Sequence, residues 1–200
     1  MSYIKRKKTQ KRKKKILAAV IILFISGLIT FYLYKLSVEI QYPLPHYDIV
    51  TKYSLKYNVE APLIYAIIKA ESNFVPDARS SKGAIGLMQV TPDTGKWISE
   101  KLKVSDFDEY QLLNPETNIE YGVWYINWLK SLEVLNNGEN TDVIIAAYNG
   151  GNGRVAQWLK NKEYSSDGKK LDHIPYDETA NYVIRVNKYI EIYDKKLNKL

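Results

Sequence analysis

The sequence predicts an all-α protein, in which a helical domain follows one N-terminal transmembrane helix. Two observations favour this fold class. Apolar residues recur at helical spacing in several segments of residues 47–200, and no segment is convincing as a strand. Residues 16–34 form an uncharged apolar run that is long enough to cross the hydrocarbon core of a bilayer.

Charge and hydropathy divide the N-terminal part of the chain into three segments. Residues 1–15 carry nine Lys and Arg and no acid, residues 16–36 are the predicted transmembrane helix, and the proline-containing residues 37–46 are a predicted linker. Because the positive charges precede the apolar run, the positive-inside rule places residues 1–15 in the cytoplasm. The sequence therefore predicts a single-pass cell-membrane protein with residues 47–200 outside the cytoplasm.

A cleavable signal peptide is the alternative interpretation of the apolar run. Its apolar region would usually be shorter, and a cleavage site of small residues would follow. The chain continues instead with KLSVEI at residues 35–40, which has no such site. An uncleaved anchor is therefore favoured, and membrane lipid is an expected partner.

The net charge of +7 comes from the N-terminal segment. Without the nine basic residues of 1–15 and Lys35, residues 36–200 carry a net charge of −3. A mildly acidic domain is not typical of a polyanion-binding protein, and attraction to anionic lipid explains the basic run. We therefore expect no nucleic-acid partner.

The chain has no cysteine, and His46 and His173 lack the spacing of metal ligands, so neither a metal site nor another cofactor is predicted.

Helical periodicity and turn residues predict a series of helices in residues 47–200. The first covers residues 47–57, and the second opens near Pro62 and closes at Glu71. A short helix is predicted to start at Leu87. The later helices are predicted at residues 93–102, 117–132, 141–149 (with Thr141 as a candidate cap), around 155–159, and 178–199.

Residues 71–94 carry the strongest functional signal. Glu71 is the first acid after an apolar helical approach, so its carboxyl is expected to be partly desolvated. Desolvation raises the pKa of a carboxyl, and an acid that stays protonated near neutrality can serve as a general acid. By position alone, a solvent-facing glutamate at a helix end would be the more common case. The residues that follow Glu71 favour the catalytic interpretation.

These residues follow the pattern E-S-x-F-x-P-x-A-x-S-x-x-G-A-x-G-L-M-Q-x-x-P-x-T. The pattern resembles the lytic transglycosylase family of the soluble-lytic-transglycosylase (SLT) type, which shares its fold with goose-type lysozymes. Two later segments also resemble the family, AYNGG at residues 147–151, with Gly150 in place of the usual alanine, and ETANYV at residues 178–183. The matching residues in the first segment are Glu71, Ser72, Phe74, Pro76, Ala78, Ser80, Gly83, Ala84, Gly86, Leu87, Met88, Gln89, Pro92 and Thr94.

The resemblance implies a lysozyme-like helical domain with a substrate groove over residues 47–200. It implies a lytic murein transglycosylase, a carbon–oxygen lyase that cleaves the β-1,4 bond between N-acetylmuramic acid and N-acetylglucosamine and leaves 1,6-anhydromuramic acid ends. In this family one glutamate is both acid and base, unlike the two carboxylates of most glycosidases. Glu71 stands at that position.

The resemblance also implies a set of substrate-binding residues. Ser80, Gln89 and Asn149 carry polar groups able to hydrogen-bond N-acetyl and hydroxyl groups, and Tyr182 would line the groove. Three others have a structural alternative, because Met88 could be core filler, Tyr148 an aromatic core residue, and Glu178 a helix cap. The complete set is Ser80, Met88, Gln89, Tyr148, Asn149, Glu178 and Tyr182.

Two other functions stay open. A lysozyme-type hydrolase would use the same fold with water as the nucleophile and would leave reducing ends. A catalytically silent, membrane-tethered glycan-binding protein is the second alternative, and the presence of Glu71 argues against it. The expected partners are peptidoglycan glycan strands and membrane lipid, with cell-wall or secretion machinery as a further candidate.

Overall fold

The computed structural model describes residues 3–200, with the side chains of residue 8 and residues 10–200. Residues 1 and 2 of the predicted basic segment lie outside the described residues. The chain separates into two compact units, Met1–Pro43 and Leu44–Leu200.

The described part of the first unit consists mainly of one helix, α1 (Tyr3–Gln41). Within it, Gln10–Gln41 is long and apolar enough to cross a membrane. The hydroxyl groups of Ser26 and Thr30 donate to carbonyl oxygens of their own helix, at 2.8 and 2.9 Å, so the two polar side chains of the apolar run are satisfied within it. The helix continues through the first five residues of the predicted linker and ends two residues before Pro43, which cannot donate a backbone hydrogen bond.

The regular secondary structure of the second unit is helical, and the predicted all-α class is confirmed. Residues 44–200 contain no strand, only isolated bridges that pair Ile85 with Arg79 and Val90. Two short 3₁₀ helices, Glu109–Leu113 and Glu133–Gly138, lie between the longer helices. The α-helices are α2 (Tyr47–Tyr57), α3 (Ala61–Glu71), α4 (Pro92–Leu102), α5 (Pro115–Lys130), α6 (Thr141–Gly150), α7 (Asn152–Lys160) and α8 (Asp177–Leu197).

Two local predictions were wrong. Leu87 does not start a helix, because Gly86 and Gln89 on either side of it adopt positive φ angles of 80° and 51° and turn the chain. The cap of α6 is Asn140 rather than Thr141. The Asn140 side-chain oxygen accepts hydrogen bonds from the backbone N–H groups of residues 142 and 143, and this satisfies two donors of the first helical turn.

Helix α3 forms the centre of the core. All six residues 63–68 are buried, because α3 packs along α8 on one side and other elements cover its remaining faces. The Tyr65 ring stacks on the Tyr193 ring of α8, with centroids 5.3 Å apart. This burial explains why residues 63–68 are apolar on every face of the helix. The packing also leaves the C-terminal end of α3 beside the N-terminal half of α8.

The loop between α3 and α4, residues 72–91, is fastened to α5 by one buried side chain. Asn118 is 0% exposed, and its Nδ2 donates to the carbonyl oxygens of Ile85 and Leu112, each at 2.8 Å. Its Oδ1 accepts from the backbone N–H of Met88 at 2.7 Å. The donors and the acceptor of the amide are all in use, so the loop has one defined position against the helix.

Glycine is required at position 86 for the same contact. Its φ is 80°, and a Cβ there would overlap the Asn118 amide and lie 2.6 Å from the Leu112 carbonyl oxygen. The close approach of this backbone to Asn118 therefore depends on the missing side chain.

Replacing Asn118 is expected to loosen this loop. Asn118→Ala removes a hydrogen bond from three backbone groups, and the Met88 N–H loses its partner inside the protein. We expect the free energy of unfolding to fall by about 2–4 kcal/mol. Urea unfolding of the detergent-solubilised chain, followed by tryptophan fluorescence, measures this.

The matched control is Asn127→Ala, which truncates a half-buried asparagine on the same helix. We expect this variant to lose less than about 1 kcal/mol. Equal losses in the two variants would contradict the organising role of Asn118.

Candidate active site

Glu71 is the last residue of α3, and its side chain lies against α8. The Tyr182 hydroxyl of α8 donates a hydrogen bond to Glu71 Oε1 at 2.6 Å. Tyr182 is only 2% exposed. Burial raises the pKa of Tyr182 well above its usual value, and the adjacent Glu71 charge raises it further, so the phenol stays protonated and remains a donor.

Burial raises the pKa of Glu71 to about 7. The Tyr182 hydrogen bond and the positive charge of Arg185 lower the pKa, and the negative charge of Glu178 raises it, but burial is the largest effect. Glu71 is therefore present in both its protonated and its ionised form near neutral pH. A carboxyl with such a pKa can both donate and accept a proton near neutral pH.

Tyr148 lies on α6 and reaches toward the same site. Its hydroxyl donates to the backbone carbonyl oxygen of Met88 at 2.7 Å, and its ring meets the Tyr125 ring edge-on with centroids 5.6 Å apart. Burial raises the pKa of Tyr148 well above its usual value, with the charge of Glu71 as the second cause. The side chain is half-buried, so it is not a fully enclosed core residue.

The Met88 side chain lies in the core of the domain, where it cannot contact a substrate. Its side chain is 0% exposed and packs against Gly122 of α5, where a Cβ would overlap the Met88 sulfur. Of the two interpretations of the Met88 side chain, substrate binding and core filling, its burial supports core filling. Only the backbone of Met88 faces the site, through the carbonyl oxygen that accepts from Tyr148.

Ser80 and Gln89 shape the loop that borders the site. Ser80 is exposed, and its Oγ accepts from the backbone N–H of Ala84 at 3.0 Å, which closes the turn around Gly83. Gln89 Nε2 donates to the carbonyl oxygens of Ala78 and Gly86 at 3.2 and 2.9 Å. Both side chains therefore have structural partners, and Gln89 still has its amide oxygen to offer a ligand.

Asn149 and Glu178 connect elements around the site. Asn149 Oδ1 accepts from the Thr179 hydroxyl at 2.9 Å, which joins the end of α6 to the start of α8. Glu178 lies in the first turn of α8, and its carboxylate is 3.5 Å from Lys82 Nζ, with side-chain exposures of 73% and 79%. An ion pair this exposed contributes little stability.

Three residues near the site received no role from the sequence. Ser72 Oγ donates to the Leu87 carbonyl oxygen at 2.8 Å, which ties the end of α3 to the loop, and Asn118 holds the same loop from α5. Arg185 lies over the Tyr182 ring, 5.6 Å from its centroid. Arg185 follows Tyr182 by three residues on one helix, and this spacing indicates that the two side chains are neighbours.

The described residues contain no group of three or more His, Cys, Asp or Glu side chains that could hold a metal ion. The site contains one acidic group, Glu71, which accepts a hydrogen bond from the buried Tyr182 phenol. The half-buried Tyr148 and the fastened loop lie beside it. It offers proton donation and acceptance together with hydrogen-bonding groups.

Sequence comparison identifies the family. The profile of the Transglycosylase SLT domain matches residues 48–171, and the chain belongs to this family. The soluble lytic murein transglycosylase of Salmonella typhimurium is 34% identical over 157 residues, which cover 78% of this chain and 24% of that protein. The membrane-bound lytic murein transglycosylase C of Photorhabdus laumondii is 32% identical over 181 residues, covering 76% of this chain and 49% of that protein. The chain therefore spans about a quarter to a half of the length of these relatives.

Solved structures agree with the family assignment. The lytic transglycosylase Slt of Pseudomonas aeruginosa, determined as an inactive glutamate-to-glutamine mutant, superposes with a TM-score of 0.70 at 35% identity, covering 80% of this chain and 26% of that one. The 70 kDa soluble lytic transglycosylase of Escherichia coli gives a TM-score of 0.70 at 30% identity, covers 80% of this chain and 26% of that one, and was also solved with bulgecin A. The lysozyme-like helical fold is confirmed.

Glu71 is expected to make the protein less stable as the pH rises. Its pKa is raised from 4.5 to about 7, so the folded protein holds a proton that the unfolded chain has already released in that interval. This contribution to stability is fully present below about pH 4.5 and is lost as the pH rises through 7. Glu71→Gln cannot ionise, so at about pH 8 it is expected to exceed the native protein in stability by up to about 3 kcal/mol.

Urea unfolding at about pH 5 and about pH 8 measures the two differences, and the gap is expected to shrink at the lower pH. Glu100→Gln, which alters an exposed glutamate on α4, is the matched control and is expected to differ from the native protein equally at both pH values. A Glu71→Gln effect that does not depend on pH would show that burial of Glu71 is not coupled to its protonation.

Proposed function

We propose that this protein is a lytic murein transglycosylase, which cleaves the β-1,4 bond between N-acetylmuramic acid and N-acetylglucosamine and forms 1,6-anhydromuramic acid ends. The observation that carries this proposal is Glu71, whose pKa is raised to about 7 by burial at the expected position of the family pattern. The names of the relatives support it, since they are lytic murein transglycosylases. The Pseudomonas relative is inactive as a glutamate-to-glutamine mutant, which supports dependence on one glutamate.

In the first step Glu71 is the general acid. Its proton goes to the glycosidic oxygen as the bond from that oxygen to C1 of the muramyl ring breaks, and the bonding pair leaves with the oxygen of N-acetylglucosamine. The substrate's own N-acetyl group assists the positive charge that develops at C1. The raised pKa keeps enough Glu71 protonated at neutral pH for this step.

In the second step the Glu71 carboxylate is the general base. It takes the proton of the muramyl 6-hydroxyl, and the oxygen of that hydroxyl attacks C1 and closes the 1,6-anhydro ring. Glu71 ends the cycle protonated, and no water is consumed. Tyr182 favours the carboxylate form through its hydrogen bond, so it prevents the pKa from rising so far that the base step fails.

The residues around Glu71 have proposed roles in holding the glycan. Gln89 and Asn149 offer side-chain amide groups to N-acetyl and hydroxyl groups, and exposed Ser80 and Glu178 border the site from the loop and from α8. Tyr148 fixes the Met88 carbonyl and forms one wall, while Tyr182 orients Glu71. Met88 contributes through its backbone, because its side chain is buried.

The proposed topology is that of a single-pass anchored enzyme. Residues 1–15 lie in the cytoplasm, residues 16–36 span the membrane, residues 37–46 are the linker, and residues 47–200 form the extracytoplasmic catalytic domain. Membrane lipid and peptidoglycan strands are then the direct partners. Association with cell-wall or secretion machinery stays a prediction from the sequence.

Cysteine labelling tests this topology without interference, since the native chain has no cysteine. A membrane-impermeant maleimide is expected to reach Ser166→Cys in spheroplasts and to reach Gln10→Cys only after lysis. The full-length mass of the labelled Ser166→Cys chain would show that the helix is not removed. Labelling of Gln10→Cys before lysis would contradict the proposed orientation.

Mass spectrometry of digested peptidoglycan tests the reaction. The native full chain in detergent is expected to release muropeptides with 1,6-anhydromuramic acid ends, and Glu71→Gln is expected to lower the rate by about a hundredfold or more because it removes both proton transfers. Glu100→Gln is the matched control with native activity. Reducing ends from the native protein would assign it to the hydrolases, and binding without any product would assign it to the glycan-binding proteins.

A further inference from the structure

A cavity of about 340 Å³ lies where α2, the start of α3 and the end of α8 meet. Ala61 and Pro62 line it at the first turn of α3, whereas Glu71 is the last residue of the same helix. At a rise of about 1.5 Å per residue, the two ends of α3 are about 15 Å apart. The volume lies within the range of about 300–1,000 Å³ that is typical of small-molecule sites. The cavity is therefore a separate candidate site, remote from Glu71.

The walls of the cavity are mostly apolar. Leu55 comes from α2, Pro62 from α3 and Leu197 from α8. The space between them stays open because the α2 residues that face it, Thr51 and Ser54, have short side chains. Leu55 is 80% exposed, so the apolar surface continues from the cavity to the outside of the domain. A partner segment that covers Leu55 would remove this surface from water, which favours binding.

The charged groups of the cavity are acidic. Glu60 and Asp194 line it, and no Lys or Arg is among the described residues that do so. Glu60 Oε2 lies 3.4 Å from Lys130 Nζ, a long ion pair in which the glutamate side chain is 68% exposed, so the lysine offsets little of the negative charge. Asp194 Oδ1 accepts from the neutral Asn198 amide at 3.2 Å, and this contact leaves the charge of Asp194 in place.

The helix ends make Asp194 the stronger of the two cation-binding groups. Glu60 precedes α3, and its negative charge offsets the partial positive charge of that helix N-terminus. Asp194 lies in the last turn of α8, where the carboxyl end of the helix adds a partial negative charge. Lys195 and Lys196 share that turn but do not line the cavity. The cavity is therefore negative mainly on its α8 side.

The chemistry of the cavity selects one kind of occupant. An anionic group, such as the phosphate of a lipid, would be repelled by the two carboxylates, and a purely apolar group would desolvate them without compensation. A lysine or arginine side chain combines an aliphatic stem with a cationic head, and these parts match the apolar walls and the acidic groups. The exposed Leu55 provides a contact for the residues that flank such a side chain in a protein segment, whereas a free amine would leave Leu55 uncovered.

We propose that this cavity is a docking site for a partner protein, which inserts a lysine or arginine side chain from an exposed segment. The aliphatic stem packs between Pro62 and Leu197, and the cationic head binds Asp194, with Glu60 as a second partner. The proposed glycan site is at the other end of α3, so the partner holds the domain while Glu71 stays free to act. This inference does not depend on the reaction that Glu71 performs.

Titration of the full chain with two peptides tests the docking site. Acetyl-Leu-Lys-Leu-amide provides one ammonium group, and acetyl-Leu-norleucine-Leu-amide has the same aliphatic stem without the charge. Ligand-observed NMR in a non-ionic detergent gives both dissociation constants. We expect the lysine peptide to bind with a Kd of about 1 mM and the norleucine peptide to bind about tenfold more weakly, because the norleucine side chain would desolvate the carboxylates without a cation to compensate.

Conservative substitutions of the two acids assign the binding to this cavity. Asp194→Asn and Glu60→Gln keep the shape of each exposed side chain and remove its charge. Each is expected to weaken binding of the lysine peptide by up to about fivefold, with the larger loss for Asp194→Asn, and the double variant is expected to lose about tenfold. Glu100→Gln, which alters an exposed glutamate on α4, is the matched control and should bind the lysine peptide as the native protein does.

The outcomes can be told apart. Equal affinity for the two peptides, or native affinity for the lysine peptide in the double variant, would overturn the docking site. Light scattering is expected to show a monomer in detergent, and a dimer that the double variant dissociates would assign the cavity to a second copy of this chain instead of a different protein.

Activity separates this inference from the proposed function. The double variant is expected to release muropeptides at the native rate, because the cavity is remote from Glu71. Loss of turnover in the folded double variant would make the cavity part of the glycan site and overturn the docking proposal. Absence of products from the native enzyme would overturn the proposed function and leave the peptide titrations to decide the docking site.

Discussion

The three hydrogen bonds of the Asn118 amide are the constraint on which the site depends. They hold Ile85 and Met88 of the loop and Leu112 of the 3₁₀ helix against one buried side chain. Once Met88 is fixed, its carbonyl oxygen fixes the Tyr148 hydroxyl, and Ser72 ties the end of α3 to the neighbouring residue of the same loop. A loop without regular secondary structure thus becomes as defined as the helices around it, because its backbone groups find partners on side chains.

The properties of Glu71 come from a balance between burial and hydrogen bonding. Burial at the end of an apolar helix disfavours the charged carboxylate, whereas the Tyr182 hydroxyl and the Arg185 charge favour it. Burial dominates and raises the pKa to about 7. Ionisation of the buried Glu71 at alkaline pH therefore lowers the free energy of unfolding of the protein. Reactive groups commonly carry such a cost, since a fully solvated or fully paired carboxyl would be ionised at neutral pH and would have no proton to donate.

The helices were largely predictable, and the loop was not. Helix α2 has the predicted bounds, and α3 ends at Glu71 as expected, because both depend on local periodicity and on turn residues close in sequence. Leu87 was predicted to start a helix, yet the chain turns at Gly86 and Gln89, since the partner that selects this turn, Asn118, lies some thirty residues away. For Met88 the sequence leaves substrate binding and core filling as alternatives, and the side chain fills the space that Gly122 leaves on α5. Nearby residues in the sequence predict neither the contact of Asn118 with the loop nor that of Met88 with Gly122, because the partners are distant in sequence.

The sequence alone determined the all-α class, the apolar N-terminal helix and the family pattern that singles out Glu71, because these depend on residue type and on short-range spacing. Only the tertiary structure decided which groups meet at Glu71. It brought Tyr182 from 111 residues away to within hydrogen-bonding distance, and it packed Tyr125 of α5 edge-on against Tyr148 of α6. The physical reason is that the pKa of an acid and the shape of a binding surface depend on burial and on neighbours that only the packing of distant helices supplies.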